Sequence, residues 1–129
     1  MTLSTFLKRV LMFDAASCLA MGALLAGAAG ALAPLFGIDQ GLVRGAGLAL
    51  LPTGAFILWL ATRETVPALL VYLLIAANLL WVAESVALVG RTSGITAVGA
   101  AFVGIQAAAV AGLSLLEWIG IRRSSAVAA

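Results

Sequence analysis

The third of four long apolar runs in the sequence, residues 66–89, constrains the fold most strongly. It is long enough to cross a bilayer, for which about 20 consecutive apolar residues suffice, yet it contains Asn78 and Glu84. An acidic side chain inside such a run must face protein or water, because contact with lipid is costly. On a helix, Trp81 and Ser85 fall on roughly the same third of the circumference as these two residues. The run therefore predicts a membrane-spanning helix whose polar face turns toward the inside of a bundle.

The composition places the whole chain in the membrane class. Of its 129 residues, 64% are hydrophobic and 9% are charged, and the mean hydropathy is +1.22. A soluble domain averages about 25% charged residues, and a soluble helical bundle needs a polar face on each helix, which none of the four runs has. The net charge of +2 is spread over short loops and chain ends, so we expect no nucleic-acid surface.

The sequence contains one cysteine, Cys18, and no histidine. A lone cysteine inside an apolar run cannot form a disulfide within the chain, and we interpret it as a small packing residue. Without histidine, the commonest general base and metal ligand is missing. The sequence therefore predicts no metal site, no cofactor and no enzymatic activity.

The four runs predict a single domain over residues 1–129, an all-α antiparallel bundle of four transmembrane helices joined by short loops. The helices are expected at about residues 10–33, 41–61, 66–89 and 95–120. We expect Pro34 to close the first helix, Pro52 to kink the second and Thr65 to cap the third. A cleaved signal peptide is the competing interpretation of the first run, but Asp14 interrupts its apolar segment and Pro34 follows the would-be cleavage site.

The distribution of basic residues predicts the orientation in the membrane. Five basic residues lie on the side that carries both termini and two lie on the other side: Lys8, Arg9, Arg63, Arg122 and Arg123 against Arg44 and Arg91. The positive-inside rule then places both termini in the cytoplasm. Trp59 and Trp118 fall on the same side, where an interfacial aromatic belt is expected.

Depth along the helices groups four of the remaining polar residues. Arg44 and Glu84 lie nearly level toward the outer ends of the second and third spans, and we expect them to form an ion pair. This expectation assumes that helices joined by a short loop are neighbours. Asn78 and Gln106 lie near the middle of their spans, where each can hydrogen-bond across helices.

Two further acidic residues, Asp14 and Glu117, share the predicted cytoplasmic end of the bundle. Four arginines lie within reach of them: Arg9, Arg63, Arg122 and Arg123. The structural interpretation makes every acid in the spans a charge pair or an interfacial anchor, whereas the functional one makes Asp14 and Glu84 carriers of protons or cations. We favour the structural interpretation, because each acid has a base at its own depth. A carboxylate pair formed by Asp14 and Glu117 is also conceivable.

Small residues recur at every fourth position of the fourth span, and shorter strips occur in the first two. The ridge in the fourth span consists of Thr96, Ala100, Gly104, Ala108 and Gly112, and the strips of Gly22, Ala26 and Gly30 and of Gly37, Gly41 and Gly45. Such ridges let helices approach closely in a membrane. We expect Gly104, Ala108 and Gly112 to pack within the monomer, with a dimer interface as the alternative.

Three short stretches carry a resemblance to known proteins: LKRVLMFDAAS near the N-terminus, VRGAGLALLP in the second span and NLLWVAES in the third. In these stretches the chain resembles a set of small four-span bacterial integral membrane proteins of unknown function. The resemblance extends over most of the chain. It implies a four-helix membrane fold and no biochemical activity.

The leading functional prediction is a non-enzymatic component of the bacterial inner membrane. It would be an accessory, assembly or scaffolding subunit that associates with other membrane proteins, or with itself, through its small-residue faces. The alternative is a small oligomeric proton- or cation-coupled transporter that uses Asp14 and Glu84. Beyond the lipid bilayer, neither prediction involves a nucleic-acid or metal partner. A water-filled cavity that reaches either acid would favour the transporter, whereas a dry and fully paired core would favour the accessory role.

Overall fold

The computed structural model describes the backbone of residues 1–128 and the side chains of residues 1–124. The fold is all-α, as predicted. The helices are α1 (Thr5–Gly27), α2 (Ala29–Phe36), α3 (Gln40–Ala61), α4 (Ala68–Arg91) and α5 (Ala97–Ala128). All except the short α2 are long and apolar enough to cross a membrane. The protein is therefore a multi-pass integral membrane protein built as a helical bundle.

The first apolar run differs from the prediction, because it forms two helices rather than one. The chain breaks at Ala28, and Pro34 lies inside α2 instead of closing the first span. α2 ends at Phe36, and the residue that caps it is Gly37. The φ of Gly37 is 67°, the left-handed conformation that glycine adopts easily. A side chain at Gly37 would also overlap the carbonyl oxygen of Gly94, so the α4–α5 loop depends on a glycine here.

Helix starts also differ from the predicted ones. α1 begins at Thr5, capped by the Ser4 hydroxyl, which accepts a hydrogen bond from the Leu7 amide at 3.1 Å. α4 begins at Ala68, and Thr65 does not cap it, because Thr65 pairs instead with Thr2 in an isolated antiparallel bridge. α5 continues well past the predicted end of the fourth span.

Two of the three pairs of consecutive spans pack against each other, as expected, and the third pair does not. α1 lies along α3 in the most extensive contact, α5 packs against both α4 and α1, and α3 and α4 have almost no direct contact. At the α1–α3 crossing, a Cβ on Gly47 would stand 2.8 Å from the Gly22 carbonyl oxygen and would overlap the Ala26 amide. Gly22 and Ala26 thus pack as predicted, but against Gly47.

The central part of the predicted ridge, Gly104, Ala108 and Gly112, does not pack within the monomer. A Cβ placed on Gly104 or Gly112 would meet no atom within 4 Å in the described part of the chain, and Ala108 is exposed. Two other glycines of α5 do pack: Gly99 lies against the Phe36 carbonyl of α2, and Gly120 lies against Leu7 of α1. The expectation of intramolecular packing for Gly104, Ala108 and Gly112 is therefore not met.

Two apolar clusters lie at opposite ends of the bundle. The terminal cluster, beside both chain termini, consists of Leu3, Leu7, Leu11, Ala15, Ile57, Leu60, Ala61, Val66, Val71, Leu74 and Ile121. The distal cluster, beside α2 and the α4–α5 loop, consists of Leu25, Ala29, Ala33, Phe36, Ile38, Val43 and Val103. Between them lies a region that contains polar side chains.

Residues 1–4 close the terminal end. The Leu3 amide donates to the Glu64 carbonyl at 2.9 Å, and the Met1 ammonium donates to the Val66 carbonyl at 3.0 Å. The Ser4 amide donates to the Ser124 hydroxyl at 2.9 Å. The start of the chain therefore ties the α3–α4 loop to α5.

Candidate functional site

The candidate site is a group of three buried polar residues on three different helices: Asp14 of α1, Asn78 of α4 and Glu117 of α5. Their exposed fractions are 3%, 7% and 0%. The Asn78 amide nitrogen lies 3.0 Å from Oε1 of Glu117 and 3.4 Å from Oδ2 of Asp14, so one amide bridges two carboxyl groups. We call these three residues the carboxyl site.

Helical spacing explains why these side chains point inward. Asp14 follows Leu7 and Leu11 on the apolar stripe of α1, and Asn78 follows Val71 and Leu74 on that of α4. Each polar residue therefore occupies a position that the helix period assigns to the core. At about 1.5 Å per residue, Asp14 lies about 14 Å along α1 and Asn78 about 15 Å along α4. Because α1 starts earlier than predicted, Asp14 lies inside this helix rather than near its start.

Three of the four arginines expected to neutralise Asp14 and Glu117 lie on aromatic rings instead. Arg63 lies 5.3 Å from the ring centroid of Trp59, and Arg122 lies 5.1 Å from that of Trp118. Arg123 stacks on Phe6 in the same way. Among residues 1–124, neither acid forms an ion pair, so the prediction that every acid has a basic partner is wrong.

The hydrogen bonding of the carboxyl site is incomplete. The Asn78 NH2 group donates to both acids, and the Cys18 thiol donates to Oδ1 of Asp14 at 3.6 Å. Oε2 of Glu117 is buried and has no hydrogen-bond partner among residues 1–124. An unpartnered buried acceptor typically costs about 1–3 kcal/mol and is rare in native proteins. The site is therefore short of hydrogen-bond donors.

A cavity of about 520 Å³ extends from the carboxyl site toward the distal end. All four spanning helices contribute to its wall, which is lined by Phe13, Asp14, Ser17, Cys18, Met21, Ala49, Leu50, Thr53, Ala77, Asn78, Trp81, Phe102, Ile105, Gln106, Ala109, Val110 and Leu113. Several lining residues are exposed, including Phe13 at 65% and Ile105 at 71%. The cavity therefore communicates with the surface of the bundle, whereas Leu7 and Leu11 are fully buried on the terminal side of the site.

A chain of hydrogen bonds joins α4 and α5 at the distal end of this cavity. The Trp81 indole donates to Oε1 of Gln106 at 2.9 Å, and Nε2 of Gln106 donates to the Ser85 hydroxyl at 2.9 Å. Trp81 and Gln106 also line a second cavity of about 170 Å³ nearer the distal end. Together they form a wall between the two cavities. Asn78 and Gln106 thus both bond across helices, as predicted, but not to each other.

The predicted ion pair between Arg44 and Glu84 is absent from the described residues. Glu84 lies 3.8 Å from Nη2 of Arg91, one α4 side chain beside another, and these side chains are 64% and 60% exposed, respectively. Arg44 is exposed on α3. The pair does not form because α3 packs on α1, whereas α4 packs on α5. Glu84 therefore does not belong to the buried polar face on which the sequence placed it.

Sequence reasoning missed Cys18 as part of the site, and the spacing of four residues between Asp14 and Cys18 was the available signal. No family model matches the sequence, and no significant similarity links it to a curated protein or to a solved structure. The likeness to small four-span bacterial proteins stays a prediction. The function must be argued from the carboxyl site and the cavity.

Proposed function

We propose that the protein is a small membrane carrier in which Asp14 and Glu117 together bind a proton or a monovalent cation. The observation that carries the proposal is a buried carboxyl pair without a basic partner among the described residues, placed at the closed end of a cavity. Ionisable residues in the middle of a membrane span are costly, and they mark ion and substrate paths. The alternative function predicted from the sequence was a transporter that uses Asp14 and Glu84. The proposal keeps Asp14 and assigns the second role to Glu117 instead of Glu84.

The carboxyl pair suits reversible cation binding for electrostatic reasons. Two close carboxyl groups in a poorly hydrated site cannot both hold a negative charge cheaply, so the pair favours a bound proton or cation. Asn78 bridges the pair at fixed distances and keeps both groups in reach of one ion. Because the bridge has no charge of its own, the pair can release the ion again.

Access to the pair is one-sided in this conformation. The cavity reaches Asp14 and Asn78 from the distal side, and the terminal cluster packs against the other side. Transport therefore requires a second conformation, in which the terminal cluster opens. The close contact of Gly22 with Gly47 makes α1 and α3 a rigid unit, and we propose that this unit rocks against α4 and α5.

The test is ion movement in proteoliposomes that contain a pH-sensitive dye and an imposed pH gradient, with the membrane potential clamped by potassium and valinomycin. We expect the parent protein to dissipate the gradient faster than empty vesicles. Asp14→Asn and Glu117→Gln should reduce the rate to that of empty vesicles, because each removes one carboxylate. Glu64→Gln, which changes an exposed loop acid far from the cavity, is the matched control and should keep the parent rate. A parent rate equal to that of empty vesicles, both in this assay and with an imposed gradient of a monovalent cation in place of the pH gradient, would refute the proposal.

An accessory or scaffolding role is the second candidate, and one observation favours it. The face of α5 that carries Gly104, Ala108 and Gly112 is open along the described chain and can accept a helix of another membrane protein or of a second copy. Co-purification in mild detergent tests this role with the variant Gly104→Leu. A partner that the parent retains and Gly104→Leu loses would support it, and equal retention by both would oppose it.

The proposed setting is the bacterial inner membrane with both termini in the cytoplasm. The excess of basic residues at the terminal end supports this orientation. The arginine-stacked Trp59 and Trp118, which are 45% and 43% exposed near that end, suit an interfacial belt. Under this orientation the cavity is open toward the outer half of the membrane.

A further inference from the structure

We infer that the 520 Å³ cavity binds a lipophilic organic cation, specifically a protonated amine that carries an aromatic or alkyl group. The ammonium group would lie at the Asp14–Asn78 end, and the apolar group would fill the rest of the cavity. This inference rests on the proposed function, because it names the substrate class of the same site.

The size of the cavity argues for an organic substrate. Ligand pockets in proteins typically measure about 300–1,000 Å³, and this cavity falls within that range. A proton needs only a hydrogen-bonded path, and a bare metal ion needs a compact shell of oxygen ligands. No cluster of three or more acidic or thiol ligands exists among the described residues. The volume is therefore explained by an organic group and not by an inorganic ion alone.

The wall of the cavity contains several polar side chains, but their hydrogen-bond donors are already used within the protein. The hydroxyls of Ser17 and Thr53 each donate to a carbonyl of their own helix at 2.9 Å. The Trp81 indole donates to Gln106, and the Gln106 amide donates to Ser85 and to a backbone carbonyl. These donors are all engaged within the protein, so the wall offers a ligand mainly apolar contact.

The polar end of the cavity offers hydrogen-bond acceptors. Both N–H groups of Asn78 are directed at the two carboxyl groups, and among the described residues no donor reaches Oδ1 of Asn78. Asp14 faces the cavity with a carboxyl group, and Oε2 of Glu117 behind it accepts no hydrogen bond from residues 1–124. A ligand that complements this end must donate hydrogen bonds and carry positive charge, and a protonated amine does both.

Aromatic rings line the part of the cavity in which the apolar group of the same ligand would lie. Trp81 and Phe102 line the cavity beyond the carboxyl site, and Phe13 lies at its rim. Ring faces attract organic cations and also pack against aromatic groups. The rim is exposed along spans that cross the membrane, so a solute dissolved in lipid can reach the cavity from the side.

The test is isothermal titration calorimetry on the purified full chain in detergent, with 4-phenylbutylamine as the probe. The neutral isostere 4-phenylbutan-1-ol controls for partition of the phenyl group into micelles. We expect the amine to bind the parent and to bind Asp14→Asn and Glu117→Gln about ten- to one-hundred-fold more weakly, as expected for the loss of a charge-assisted hydrogen bond. The alcohol should bind all three proteins equally weakly.

A neighbouring pair of alanines provides the steric control. Ala77 lines the cavity and the exposed Ala76 does not, so Ala77→Phe should abolish amine binding and Ala76→Phe should leave it unchanged. This pair keeps the inference testable even where loss of a carboxylate unfolds the protein. Equal amine affinity of the parent and Ala77→Phe would overturn the inference. So would an alcohol that binds the parent as tightly as the amine.

Failure of the substrate class can be told apart from failure of the carrier. Proton movement that depends on Asp14 and Glu117, together with no amine binding, would overturn the organic-cation inference and leave the proposed function standing. Amine binding that depends on Asp14, without any ion movement in proteoliposomes, would support the binding site and refute the carrier.

Discussion

Two acidic sites in this protein have opposite surroundings. Asp14 and Glu117 are buried, lie on different helices and share the amide of Asn78. Glu84 is mostly exposed and lies beside Arg91 on its own helix. The comparison shows that the presence of an acid in a membrane span does not by itself indicate a functional site. Its burial and its hydrogen-bond and charge partners do. The Glu84–Arg91 pair neutralises itself at the surface, whereas the carboxyl site still needs a donor.

The largest difference in stability between variants of the two sites should come from adding a charge to the buried site. Asn78→Asp keeps the size of the side chain, removes both bridging N–H groups and puts a third acid beside two others. We expect a loss of about 3–5 kcal/mol in the free energy of unfolding, the range for an uncompensated buried charge. Thermal unfolding in mild detergent, followed by circular dichroism, measures it. A loss no larger than that of Glu84→Gln would mean that the buried site is well hydrated.

An intermediate effect should follow from breaking the wall between the two cavities. Gln106→Leu keeps much of the volume but removes the bonds to Trp81 and Ser85. We expect a loss of about 1–2 kcal/mol, because polar contacts across membrane helices contribute modestly. The same unfolding measurement applies, with Gln40→Leu at the exposed start of α3 as control. If both variants unfold alike, the hydrogen-bonded wall does not hold α4 and α5 together.

The smallest effect should come from the exposed pair. Glu84→Gln and Arg91→Gln should each change the free energy of unfolding by less than about 0.5 kcal/mol, because exposed ion pairs contribute little. The double variant of Glu84 and Arg44 should be additive, since the two side chains do not meet. A coupling energy above about 1 kcal/mol between Glu84 and Arg44 would restore the ion pair that the sequence predicted.

The relative depth of Asp14 and Glu117 could be predicted from the sequence, but the points at which the helices touch could not. The rise per residue placed Asp14 near the level of Glu117, and the structure brings them together. Which helices touch depends on where two backbones can approach, and small residues are too frequent here to decide it. Gly47 lay outside every predicted strip and makes the close crossing of α1 and α3, whereas Gly104 lay in the longest strip, and a Cβ placed on it would meet no atom within 4 Å in the described part of the chain.

The partners of the arginines could not be predicted from the sequence either. A long, flexible side chain at a membrane interface can pair with an acid or stack on an aromatic ring with similar energy. Arg63 and Arg122 each have a tryptophan four residues earlier on the same surface, and they stack there. Once they do, Asp14 and Glu117 lose the bases that the sequence assigned to them.

The separation of the carboxyl site along the chain has a consequence for biosynthesis. Asn78 follows Asp14 by 64 residues, and Glu117 follows Asn78 by a further 39. Because chains emerge from the ribosome N-terminus first, α1 and α3 can close around Gly22 and Gly47 while Asp14 still has none of its distant partners. The nascent hairpin carries an unsatisfied acid through the translocon until α4 and α5 arrive. A chain that stops before α5 lacks Glu117 and therefore leaves the Asn78 amide with Asp14 as its one carboxyl partner in the site.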